Sequence, residues 1–111
     1  MRAIVVVPTY NELANLETLV QKLQQYAPDL HVLIVDDNSP DGTGKLADQL
    51  ATADPERISV LHRERKEGLG RAYVEGFKEA LRRNYEYILQ MDADLSHDPV
   101  HLADFFANIQ N

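Results

Sequence analysis

The sequence predicts an α/β fold: a mostly parallel sheet with helices on both faces. Three observations carry this. Four short apolar runs alternate with four segments whose apolar residues recur at helical spacing. The first run, Ile4 to Val7, is continuously β-branched, the pattern of a strand covered on both faces. Turn residues and clustered charges stand where each run ends.

The elements follow in order. After Ile4–Val7, residues Leu13, Leu16, Val20 and Leu23 mark a first helix, with Asn11 as its expected N-cap and Pro28-Asp29 as its end. His31 to Val35 is the second strand. Pro40-Asp41-Gly42-Thr43 is a turn, and Leu46, Ala47, Leu50 and Ala51 form the next helical face. Arg57 to His62 reads as a shorter third strand. Leu69, Ala72, Tyr73, Gly76, Phe77, Ala80 and Leu81 share one face of a third helix. Tyr85 to Met91 is the fourth strand. Asp98-Pro99 then opens a fourth helix with Val100, Leu102, Ala103, Phe106 and Ile109 inward. Four such units imply right-handed crossovers within a single domain.

Bulk composition narrows the function classes. The 111 residues include no cysteine, which excludes disulfides, thiolate metal ligands and a cysteine nucleophile. A net charge of -7 argues against a nucleic-acid partner. No stretch reaches the roughly 18–20 apolar residues of a membrane-spanning helix. The short run after Arg2 suits a buried strand better than a signal peptide.

The residues that fit poorly as core follow the strands, where open α/β sheets bind ligands. They are Pro8-Thr9-Tyr10-Asn11-Glu12, Asp36-Asp37-Asn38-Ser39, His62-Arg63-Glu64-Arg65-Lys66 and Asp92-Ala93-Asp94-Leu95-Ser96-His97. Asp92 and Asp94 are the sharpest pair. In extended backbone, alternate residues point the same way, and two close carboxylates repel unless a cation sits near. Mg²⁺ or Mn²⁺, which take oxygen ligands and bridge to phosphates, suit such a pair. The plainer alternative is two polar loop residues, one of them capping the next helix. Asp36-Asp37 suits ribose hydroxyls or a base edge, or else a helix cap by Asp36 or Ser39. Glu12 either faces a ligand beside Tyr10 or is an acid in a helix's first turn. Tyr10 either stacks on a base or covers the sheet end. Arg63, Arg65, Lys66 and Arg71 gather positive charge before Gly68-Leu69-Gly70, a diphosphate site or a solvated glycine turn. The third unit does not complete the dinucleotide glycine pattern, and no Walker-type sequence is present. The four histidines show no zinc spacing.

Taken together, Pro8 to Glu12, Asp36 to Thr43, Gly68 to Tyr73 and Met91 to His97 resemble the inverting family-two glycosyltransferases of the GT-A fold. Within these, they look like the dolichyl-phosphate (polyprenyl-phosphate) mannose synthases. Asn-Ser-Pro-Asp-Gly-Thr with Asp-Ala-Asp-Leu-Ser-His is the more specific part. The resemblance implies a Rossmann-like nucleotide-binding half over residues 1–111, with GDP-mannose as donor and a polyprenyl phosphate in a membrane as acceptor. It implies that Pro8, Tyr10 and Glu12 line the nucleotide pocket and that Val35 and Asp37 hold the guanine or ribose end. Asp92, Ala93 and Asp94 would lie along the diphosphate, with Asp94 the principal ligand of Mg²⁺ or Mn²⁺ and Ser96 a further one, directly or through water. Some relatives carry Gln where this chain has Ser96.

Such catalytic domains run to about twice this length, so the resemblance also implies a truncated domain, inactive alone and prone to self-association. It implies a cytoplasmic protein, peripheral to or anchored at a membrane through parts outside these residues. Glucosyl transfer from UDP-glucose to the same class of acceptor is the nearest alternative. A non-catalytic nucleotide-binding remnant is another, and so is a receiver-type phosphoacceptor module, which shares the length and the β/α alternation.

Overall fold

The computed structural model describes residues 2–64, 66–96 and 99. Among the described residues seven elements run in order: β1 (Ala3–Thr9), α1 (Leu16–Tyr26), β2 (His31–Asp36), α2 (Thr43–Ala53), β3 (Ile58–His62), α3 (Leu69–Arg82) and β4 (Tyr87–Gln90). All strand pairs are parallel, in the order β3-β2-β1-β4. The receiver-type alternative requires the flavodoxin-like order, in which the third strand lies beside the first. Here β1 lies between β2 and β4, which sets that alternative aside.

The sheet separates two cores. Val5, Val7, Val32 and Ile34 face α1 and α2, packing with Leu16, Leu19, Val20, Leu23 and Ala47. Ile4, Val6, Leu33 and Val35 face the other way, onto Ala72 and Ala80 of α3. This alternation makes the run Ile4–Val7 apolar throughout, because each successive side chain enters a different core. Gly76 lets α3 lie directly on β1: a Cβ there would come within 2.3 Å of Val6 Cγ1. Gly76→Val is therefore expected to destabilise the fold by about 3 kcal/mol through overpacking. Denaturant unfolding checks this; a midpoint equal to wild type would show that the helix can move away at no cost.

Several sequence expectations shift at their edges. Asn11 is not the helix cap. Its φ of 56° places it in the left-handed region, and α1 begins only at Leu16, after the N-cap Asn15. The carbonyl of Glu12 accepts from the Asn15 and Leu16 amides, so residues 11–14 are spent on turns and Leu13 is 45% exposed. Leu69 and Leu81 match the α3 spacing but flank the buried stripe of Ala72, Gly76 and Ala80, and both are exposed. The third and fourth strands are shorter than expected. The fourth helix, expected from Val100 behind an Asp98 cap, lies outside the described residues.

Candidate functional site

Two loops at the carboxyl end of the sheet are braced to each other by side chains. Thr9 Oγ1 donates to Asp36 Oδ1 at 2.7 Å, and Ser39 donates to the same carboxylate through its hydroxyl (2.7 Å) and its amide (3.0 Å). Ser39 Oγ accepts from the Asn11 amide at 2.9 Å, and Thr43 Oγ1 accepts from the Glu12 amide at 2.9 Å. Asp41 accepts from the Leu13 amide at 3.2 Å. Asp36 is thus a buried brace and not the cap of α2, which begins after Gly42 with no side-chain cap. These bonds hold Tyr10 and Glu12 at a set height above β1.

Asp37 is buried beside Arg63, whose Nη1 donates to Asp37 Oδ1 at 3.1 Å and whose Nη2 lies 3.5 Å from Glu67. Burial pushes the Asp37 carboxyl above its ordinary pKa, and the Arg63 charge opposes that rise. Val35 is wholly buried, its side chain against α3 near Gly76.

A cleft of about 240 Å³ opens at the ends of β1 and β4. It is lined by Pro8, Tyr10 and Glu12 after β1, by Lys66 and Leu69 at the entry to α3, and by Asp92, Ala93 and Asp94 after β4. The sheet's crossovers turn in opposite directions on either side of β1, and the cleft lies between β1 and β4 at that switch point. Six of the residues expected to bind nucleotide sugar therefore meet here. Val35 and Asp37 do not line this cleft. Ser96 is exposed in the same loop as Asp94, and its amide donates to Asp94 Oδ1 at 3.0 Å. His97 and Arg65 lie outside the described residues.

Among the described residues, no three acidic or histidine side chains gather closely enough to hold a metal ion by themselves. A hard cation such as Mg²⁺ or Mn²⁺ takes oxygen ligands from one or two carboxylates and from substrate phosphates. Asp92 and Asp94 supply the right donor atoms for it.

Three further residues stand around the cleft, and of these the sequence offers only Lys66 as a ligand candidate. Lys66 belongs to the basic cluster, but its ammonium lies 4.4 Å from the centroid of the Tyr10 ring, a cation–π contact that places it over the cleft. Leu69 reads as core by periodicity. Its position directly after Gly68, at the first turn of α3, is the signal that it faces the strand ends instead. Tyr73 also reads as core, yet its hydroxyl donates to Asp92 Oδ1 at 2.8 Å. Only the packing of α3 against the sheet reveals that bond.

The family model described as "Glycosyl transferase family 2" matches residues 4–111. The chain is 53% identical over 102 residues to a polyprenol monophosphomannose synthase of Mycolicibacterium smegmatis, covering 92% of this chain and 38% of that protein. It superimposes on the mannosyltransferase PcManGT from Pyrobaculum calidifontis, in complex with GDP-Man and Mn²⁺, with a TM-score of 0.69 and 28% identity; 84% of this chain and 27% of that one are covered. Residues 1–349 of S. aureus TarS in complex with UDP match with a TM-score of 0.81 and 26% identity, covering 99% of this chain and 32% of that one. The chain thus spans well under half the length of each of these proteins.

Proposed function

The chain belongs to glycosyl transferase family 2, and from that premise we propose that it forms the donor-binding part of an enzyme moving mannose from GDP-mannose to a polyprenyl phosphate, with inversion. The observation that carries this reading is the cleft at the switch point, where an aromatic ring, a lysine and the Asp92–Asp94 pair meet. Identity to a polyprenol monophosphomannose synthase supports the acceptor class, and likeness to a GDP-Man complex supports the donor.

In this reading Pro8, Tyr10 and Glu12 form the nucleotide wall, and Asp37 and the backbone around Val35 receive the base or ribose. Asp92, Ala93 and Asp94 run along the diphosphate. Asp94, assisted by Ser96, would hold Mg²⁺ or Mn²⁺, which would supply positive charge against the leaving diphosphate. An acceptor phosphate oxygen forms the new bond to the anomeric carbon as the bond from that carbon to the GDP oxygen breaks. GDP departs with the electron pair. A phosphate monoester has a second pKa of about 6, so the acceptor is already largely ionised at neutral pH and no strong base is required. The chain's own residues orient the donor for in-line attack.

An acceptor of this kind lies in a membrane, so cytoplasmic placement with peripheral or anchored membrane contact belongs to the proposal. Among the described residues no helix is long and apolar enough to cross one.

The likeness to a UDP complex favours a second reading, with a uridine nucleotide sugar such as UDP-glucose as donor. Calorimetric titration with GDP-mannose and UDP-glucose, each with and without Mg²⁺ or Mn²⁺, separates the two. Metal-dependent binding that prefers GDP-mannose is expected. Preference for UDP-glucose would overturn the mannose assignment, and binding of neither by the intact protein would overturn donor binding itself.

A further inference from the structure

The acidic pair after β4 does not set its own geometry. Asp92 stands two residues beyond the four-residue β4, just after Met91, whose amide donates to the Val6 carbonyl at 3.1 Å. The other constraint comes from α3. Tyr73 lies half-buried on that helix, stacked on Phe77 at a centroid distance of 6.0 Å, and its hydroxyl reaches Asp92 Oδ1 at 2.8 Å. Gly76, one turn further along α3, lets the helix approach β1 closely enough for this reach. A phenol with an ordinary pKa of about 10 is protonated at neutral pH, so Tyr73 is the donor in this bond.

We propose that Tyr73 is a positioning residue for donor binding: its hydroxyl holds one oxygen of Asp92 and leaves the carboxylate's remaining lone pairs to the metal–diphosphate end of the donor. This rests on the donor-binding reading above. It adds to that reading an α3 residue, outside the cleft lining, that orients a carboxylate from the next strand. Outer partners that orient a metal-site carboxylate in this way typically alter affinity by about 10–100-fold when removed.

Tyr73→Phe keeps the ring and its stacking and removes only the hydroxyl. The variant is compared with wild type, with Asp92→Asn and with the double variant, in the intact protein. GDP-mannose affinity is measured with Mn²⁺ and with chelator, alongside the melting temperature. Tyr73→Phe is expected to bind the donor about 10-fold more weakly with Mn²⁺, with little change in chelator and little change in melting temperature. In the Asp92→Asn background, adding Tyr73→Phe should cost nothing further. Equal affinity for wild type and Tyr73→Phe overturns the proposal. So does an equal loss with and without metal, or an undiminished loss in the Asp92→Asn background. Should Tyr73→Phe unfold, Asp92→Asn carries the test alone: metal-dependent donor affinity equal to wild type in that variant overturns the proposal. Absence of donor binding by folded wild type is a separate outcome, which overturns the donor reading and this proposal together.

Discussion

Asp94→Asn is expected to weaken metal-dependent GDP-mannose binding by at least about 100-fold, the upper end of what loss of a supporting group costs at a metal site. The substitution isolates charge. Asp94 is exposed in its loop, and the amide of Ser96 donates to its Oδ1. The asparagine carbonyl accepts the same bond, so the turn that includes Leu95 at a φ of 65° is retained. What disappears is the negative charge that would attract a divalent ion beside a diphosphate. The melting temperature should therefore stay within about 2 °C of wild type, as expected for a surface change. Calorimetry with and without Mn²⁺ checks both halves. Undiminished metal-dependent binding would remove Asp94 from the metal site.

Arg63→Met is expected to destabilise the fold by about 3–5 kcal/mol, because it leaves the Asp37 carboxylate buried without its partner. Both side chains are nearly inaccessible, at 9% for Arg63 and 5% for Asp37. A loss of that size is a large share of the total stability of a domain this small. The change should be mostly uncompensated charge rather than lost packing, since methionine fills much of the same volume. Pairing Arg63→Met with Asp37→Leu should then recover most of the loss, because an apolar pair of similar volume often equals a buried ion pair in stability. Denaturant unfolding of the single and double variants tests this. A double variant as unstable as Arg63→Met would show that packing, not charge, carries the effect. The same pair bears on the nucleotide end of the proposed site, since Arg63 holds the Asp37 carboxylate in place.

Much of the site was legible because it follows from strand endings. Once Ile4–Val7 and the apolar run before Met91 are read as buried parallel strands, Tyr10, Glu12, Asp92 and Asp94 must sit at one edge of the sheet. What stayed hidden depends on side-chain partners. Nothing local distinguishes Asp36 from Asp37. The first is consumed by Thr9 and by Ser39 of its own loop, the second by Arg63, and the bonds from Thr9 and Arg63 reach across from neighbouring strands. Tyr73 and Leu69 fit the helical period as well as any core residue does, because periodicity records angle around an axis and not what lies beyond the helix end. Asn11 fits a cap by residue type, yet its backbone takes the left-handed region that asparagine tolerates.

The β/α alternation, the double burial of β1 and β2, and the grouping of acids at strand ends follow from residue period and backbone chemistry, so they can be read along the chain. It also carried the family likeness in its Asp-rich segments. Only the tertiary structure decided the strand order β3-β2-β1-β4, and with it the crevice between β1 and β4. Order depends on which crossovers pack against which face, a non-local choice that no single segment encodes. The same holds for the contact of Lys66 with Tyr10 and for the placement of α3 over β1 at Gly76, where the missing side chain lets the helix that carries Tyr73 lie close to the sheet.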